Sequence, residues 1–307
     1  MTYGVRAAIF WAAETLLLNQ AMAAGYLAGI SAIQAALLAA ALHDCLSAGY
    51  LLLYLSRNQQ IRTLGKAICS PGGRNVMLAA LLGGPVGMSC YLLAIQLSGA
   101  STATSVSAVY PAIGAGLAFL FLKERLHGYQ LAGLFLCVGG TVILGIRAGE
   151  QRNAAGFLFA VLCAISWGSE AVISSGGMEK SHIPEEFALT IRQITSAAVY
   201  MLVICPLANV SRMILDTIGS LSFAVLLLGA CAGTMSYLSY YKTIRHIGPS
   251  KAMACNITYT VWVLLFEAVL LRSIPDARLM LCAVMIAAGA ALAAYETNEI
   301  KKETELK

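Results

Sequence analysis

Aromatic residues and carboxylates recur at helical spacing inside long apolar runs of this chain, and they are the groups best placed to do chemistry. Trp11 precedes Glu14 by three residues, and Trp167 precedes Glu170 by three. At about 100° per helical residue, each carboxylate shares a face with its indole, one turn on. Tyr237, Tyr240 and Tyr241 fall at i, i+3 and i+4, while Asn256, Tyr259 and Trp262 recur at three-residue intervals. An aromatic face attracts a cation by about 0.5–1 kcal/mol when exposed and about 2 kcal/mol or more when desolvated. A quaternary ammonium group suits such a wall, since it donates no N–H bonds and needs only a concave surface. Aromatics also mark the membrane–water interface. That reading stays open for the tyrosine trio, which approaches the end of its run.

Four acids lie inside apolar runs: Glu14, Asp44, Glu170 and Glu267. A charge near a bilayer centre costs about 2.5–3.5 kcal/mol on insertion scales and persists where it faces a cavity or a partner. Burial of an unpartnered carboxylate favours its neutral form. Glu14 and Glu170 are therefore expected to take part in charge or proton coupling, the rival being a neutral Glu hydrogen-bonded to a neighbouring helix. Asp44 and Arg192 are expected to neutralise one another as a structural or gating ion pair. Glu267 sits within a turn of its segment's end and is left out of the site.

The elements that must carry these residues are transmembrane helices. Of 307 residues, 59% are hydrophobic and 11% charged, against about 25% charged in soluble domains. Apolar runs of spanning length cover 4–24, 32–55, 75–96, 101–121, 129–147, 155–176, 187–208, 220–241, 250–271 and 278–295. One longer spacer runs from Ser56 to Arg74. The first run lacks a small-residue cleavage site and holds Glu14, so it is read as a retained helix. Nine scattered cysteines without a CxxC pair indicate neither a disulfide framework nor a metal site. No cofactor is expected. The net charge of +5 reads as topology instead of affinity for nucleic acid. With a cytoplasmic N-terminus, fourteen Lys and Arg fall on the inner side and five on the outer, which favours a multi-pass protein of the cell membrane with both termini cytoplasmic.

The chain also repeats itself. Trp11 and Glu14 match Trp167 and Glu170 at an offset of 156. Further on the offset is 149, pairing His43 with Arg192, Ser47 with Ser196, Tyr91 with Tyr240, Tyr110 with Tyr259 and Gly140 with Gly289. Five spans per half is an odd number, so the second half enters the membrane inverted. Such repeats with a midplane site are a transporter signature. The expected fold is all-α, ten transmembrane helices as two inverted five-helix repeats over 1–148 and 149–298, with a charged tail at 299–307. Pro85 and Pro111 are expected to kink their helices, and Gly83-Gly84 and Gly87 to serve close packing.

Tyr110-Pro111-Ala112 followed by Phe121-Leu122-Lys123-Glu124-Arg125-Leu126 resembles the EamA modules of the drug/metabolite transporter superfamily. Leu42-His43-Asp44, Gly83-Gly84-Pro85-Val86-Gly87-Met88 and Ala164 through Glu170 are closer to the LicB-type choline permeases of that superfamily. So are Ile191-Arg192-Gln193, Ser236 through Tyr241 and Asn256 through Trp262. The resemblance covers nearly the whole chain. It implies uptake of choline or a related quaternary ammonium compound by alternating access, through an aromatic, proton-sensitive pocket. Trp167, Tyr237, Tyr240 and Trp262 carry over as the cage, with Trp11 beside them and Glu170 as its carboxylate. Asn256 and Tyr259 join them as substrate-binding residues. Glu14 departs from the expected glycine-containing stretch and is an addition that shifts substrate choice. The alternative on the same scaffold is an exporter of amino acids, polyamines or drugs. An intramembrane enzyme is disfavoured, because the four histidines are far apart and no HExxH or GxSxG motif occurs. The expected partners are a small organic cation and the bilayer, with the chain a monomer or weak homodimer.

Overall fold

The computed structural model describes residues 2–145, 153–271 and 277–295, and among these it is helical with no strand. Among the described residues, seven helices are long and apolar enough to cross a membrane. Two shorter apolar stretches cover Tyr110–Leu122 and Gly128–Ile143. The first half holds α1 (Thr2–Met22), α2 (Ala32–Arg57), α3 (Ile61–Cys69), α4 (Pro71–Leu81), α5 (Ser89–Ser107), α6 (Tyr110–Leu117) and α7 (Gly128–Gly145). The second holds α8 (Ala154–Lys180), α9 (Glu185–Val199), α10 (Cys205–Leu207), α11 (Met213–Thr217) and α12 (Leu221–Ile247). It ends with α13 (Pro249–Asn256), α14 (Tyr259–Leu271) and α15 (Ala277–Ala294).

Local chemistry sets these boundaries. Ser31 and Gln34 form a reciprocal capping box at the start of α2. Asn153 caps α8 and Ser220 caps α12 by accepting backbone N–H bonds. Gly248, at φ +83°, stops α12, and Pro249 opens α13 in its first turn, where a missing N–H costs nothing. Pro111 likewise stands in the first turn of α6, so it starts a helix instead of kinking one. Pro85 sits inside a π-helical segment, Leu82–Met88, joining α4 to α5. The spacer after Ser56 holds α3, whose polar residues Arg62 and Lys66 alternate with Ile61, Leu64 and Ile68. An amphipathic helix of that kind suits an interfacial position.

Helix packing follows the repeat found in the sequence. α1 packs on α12 and α14, whereas α8, its counterpart, packs on α4, α5 and α6. α2 meets α9, and α7 meets α15. Exchanging the two halves maps this set of contacts onto itself. Close approaches fix chain direction: Gly72 lies against Gly177 and Gly156 against Ser98, so α4 and the first part of α5 run antiparallel to α8. Gly114 lies against Gly168 and Gly176 against Leu122, so α6 runs parallel to it. The chain therefore reverses between Ser98 and Gly114. Large apolar side chains such as Leu53, Phe121, Phe135, Leu202 and Val269 point outward, as lipid contact requires.

Candidate functional site

Glu14 from α1, His43 and Asp44 from α2, Glu170 from α8 and Arg192 from α9 meet in one buried cluster, each at most 9% exposed. Arg192 is its hub. Its Nε donates to Glu170 Oε1 at 2.9 Å and its Nη1 to Asp44 Oδ1 at 3.4 Å. Nη1 also donates to Gln193, and Nη2 to the Tyr237 hydroxyl at 3.2 Å. Ser196 donates to Asp44 Oδ2, while Gln193 and Thr234 both donate to Ser47. Charge-assisted bonds of this kind are the stronger class.

His43 occupies the other side. Its Nδ1 is 3.0 Å from Asp44 Oδ1. Its Nε2 is 2.9 Å from Glu14 Oε1, close as an ion pair but not aligned as a hydrogen bond. A neutral imidazole carries a single N–H, yet both nitrogens here face carboxylate oxygens. The arrangement calls for an extra proton, on the ring or on a carboxyl. Carboxylates outnumber cationic groups in the cluster whichever form the imidazole takes.

The cluster is two-sided in the same register as the sequence repeat. Glu14–His43 occupies the positions equivalent to Glu170–Arg192, and Ser196–Asp44 those equivalent to Ser47–Gln193. Backbone without side chains makes room for it. A Cβ at Gly83 would strike the Glu170 carboxylate, one at Gly84 would strike Ser196, and one at Gly233 would strike His43 and Glu14. Gly84 and Gly233 are themselves related by the offset of 149. These glycines serve the polar cluster as well as helix packing.

Two cavities flank an aromatic layer formed by Trp11, Trp167, Tyr237 and Tyr259, which line both. The larger, about 360 Å³, also takes in Glu14, His43, Asp44, Tyr91 and Tyr200. It reaches the surface at exposed Asn19, at the end of the molecule that carries the α1–α2 connection. The smaller, about 40 Å³, lies beyond the layer and is lined by Tyr110, Glu170, Tyr240 and Asn256. At the opposite end of the molecule, Arg245 pairs with Glu185 at 3.0 Å and Lys242 with Glu186 at 3.6 Å, joining α12 to α9. Ring contacts follow the repeat too: Trp11 stands 5.7 Å from Tyr259, and Trp167 stands 6.0 Å from Tyr110, the equivalent pair.

The sequence-derived candidates fall into three groups. Trp11, Trp167, Tyr237, Tyr240, Tyr259 and Asn256 line the cavities, and Asp44 and Arg192 are paired. Trp262 lines neither cavity although it stands three residues after Tyr259 in α14, and the break at Ile257-Thr258 separates Asn256 at the end of α13 from both. Glu170 is not an unpartnered carboxylate, since Arg192 holds it. The ring of Tyr237 already faces the Arg192 guanidinium at 4.6 Å. Tyr241 is sealed in the core against Ser174. The Glu267 side chain lies outside the described residues. Sequence reasoning missed His43, Tyr91 and Tyr110, although each was half of a repeat match whose partner was chosen.

The EamA-like transporter family matches residues 1–146 and again 154–295. The chain belongs to that family. With seven membrane-length helices among the described residues, it is a multi-pass membrane protein of a transporter family. It is similar to Protein LicB of Haemophilus influenzae, 30% identical over 301 residues, covering 97% of this chain and 98% of that one. An uncharacterized protein of Pseudomonas aeruginosa is 27% identical over 176 residues, 57% of this chain and 58% of the relative. A solved crystal structure aligns with a TM-score of 0.72 at 18% identity, covering 95% of this chain and 96% of its own, a likeness of fold alone.

Proposed function

We propose that this chain imports choline or a related quaternary ammonium cation by alternating access. In this reading it is a ten-helix transporter of two inverted repeats, 1–148 and 149–298, with both termini cytoplasmic. The observation that carries the substrate class is the larger cavity, whose walls combine Trp11, Tyr91, Trp167 and Tyr259 with a surplus of buried carboxylate. Desolvated aromatic faces and excess negative charge favour a monovalent organic cation. They disfavour anions, for which Arg192 is the single deep fixed cation among the described residues and is already held by two carboxylates.

The inward direction in this reading is supported by topology and energetics. The bias of Lys and Arg puts the α1–α2 connection on the outer side, so the larger cavity faces outward while the ion pairs of α9 and α12 close the inner end. The membrane potential alone favours entry of a monovalent cation by about 2.3 kcal/mol per 100 mV. The extra proton at Glu14–His43–Asp44 supplies a coupling ion, because proton and cation together balance the surplus carboxylates.

The test is a thermal-shift and uptake series on purified protein with choline, polyamines and aromatic amino acids. Selective stabilisation by choline, with uptake into proteoliposomes held at an inside-negative potential, is the expected result. Stabilisation by polyamines or amino acids with silence toward choline would discard the substrate and leave the exporter reading in its place.

A further inference from the structure

Glu14 and Glu170 occupy equivalent places, but only Glu14 has an oxygen that is both shut off from water and without a hydrogen-bond partner among the described residues. Glu170 is gripped by the Arg192 guanidinium at 2.9 Å. Glu14 meets His43 through Oε1 alone, and its Oε2 is shut off from water without a hydrogen-bond partner. Glu14 also stands one turn from Trp11 on the wall of the larger cavity, with Thr15 beside it. A buried acceptor left unmade is costly, more so when it is charged. A trimethylammonium head cannot satisfy it, having neither N–H nor O–H. A hydroxyl or amine a few bonds from that head can do so after rotation about the soft terminal torsion of the Glu14 side chain. A carboxylate in the same place would meet Glu14 as a like charge.

We infer that Glu14 is a specificity-determining residue that reads the tail of the substrate. It accepts a hydrogen bond from an alcohol or amine tail and repels a carboxylate tail. The ligand class is thus a quaternary ammonium cation bearing an O–H or N–H donor. This rests on the quaternary ammonium reading above and narrows it, and it gives the acid that departs from the expected glycine-containing stretch a task of its own.

The experiment compares choline with propyltrimethylammonium, in which a methyl replaces the hydroxyl, and with glycine betaine, which carries a carboxylate. Binding to the purified full-length protein is measured by calorimetry. Choline is expected to bind at least about tenfold more tightly than either, since a site built to pair a substrate hydroxyl rejects analogues that lack it. Glu14→Gln keeps an acceptor but removes the charge, so it should narrow the gap to betaine and spare most of the gap to propyltrimethylammonium. Equal binding of choline and propyltrimethylammonium to the unmodified protein would overturn the inference and needs no variant to fold. Failure of every onium probe to bind would instead remove the substrate reading, and this inference with it.

Discussion

The two acid–base pairs at the centre of the molecule occupy equivalent positions and differ in one respect. Glu170 faces Arg192, a cation that does not give up its proton in proteins. Glu14 faces His43, whose imidazole exchanges one readily. Both pairs close at 2.9 Å, and both sit against glycine backbone on a neighbouring helix. The guanidinium side is also tied to Asp44, Gln193 and Tyr237, so it is fixed by four partners. The imidazole side has two partners, Asp44 at 3.0 Å and the poorly aligned Glu14, and a carboxylate oxygen to spare. One half of the repeat thus keeps a permanent charge that holds α2, α8, α9 and α12 together. The other pairs its carboxylate with an imidazole, and both bases line the larger cavity. Within these pairs the halves diverge at the basic residue, and Asp44 against Gln193 marks a second divergence beside them.

The comparison breaks most visibly at Arg192. Arg192→Leu leaves Asp44 and Glu170 buried without a cation and should cost about 3–5 kcal/mol of stability, seen as a large drop in melting temperature or loss of monodisperse protein. His43→Leu should cost clearly less in the same assay, and an equal loss would mean that the imidazole side is structural too. Gly233→Ala pushes a methyl into His43 and Glu14 and should destabilise by about 1–3 kcal/mol, the usual range for overpacking. A neutral outcome there would show that the imidazole side is slack. The aromatic layer should behave alike in both halves. Trp11→Leu and Trp167→Leu should each weaken choline binding by about 1–2 kcal/mol, read by calorimetry on folded protein. Trp262→Leu, outside both cavities, should leave affinity unchanged, and a loss there would return Trp262 to the site.

Much of this arrangement is legible in the chain, for physical reasons that also mark its limits. Helices as long as α8 announce themselves because lipid forces an apolar run of fixed length, and the run at 155–176 lies within Ala154–Lys180. Asp44 and Arg192 were expected to pair because a membrane interior leaves a lone charge few options. The break at Ile257-Thr258, which separates Asn256 from Tyr259 and Trp262, carries no glycine or proline, so nothing local flagged it. His43 escaped notice as a site residue because side chains at i and i+1 of a helix do not face one another, yet the imidazole turns Nδ1 back to Asp44. α3 is too short and too polar to register as a span, and its two-faced pattern emerges only once its ends are known.

The most direct test of the divergence between the two pairs is proton movement during choline uptake. Proteoliposomes carrying a pH-sensitive dye inside, held at a clamped inside-negative potential, would be given choline outside. The account predicts that the unmodified protein acidifies the lumen as choline enters, and that His43→Gln takes up choline without acidification. Acidification that persists undiminished in His43→Gln would contradict it and move the proton away from the imidazole side.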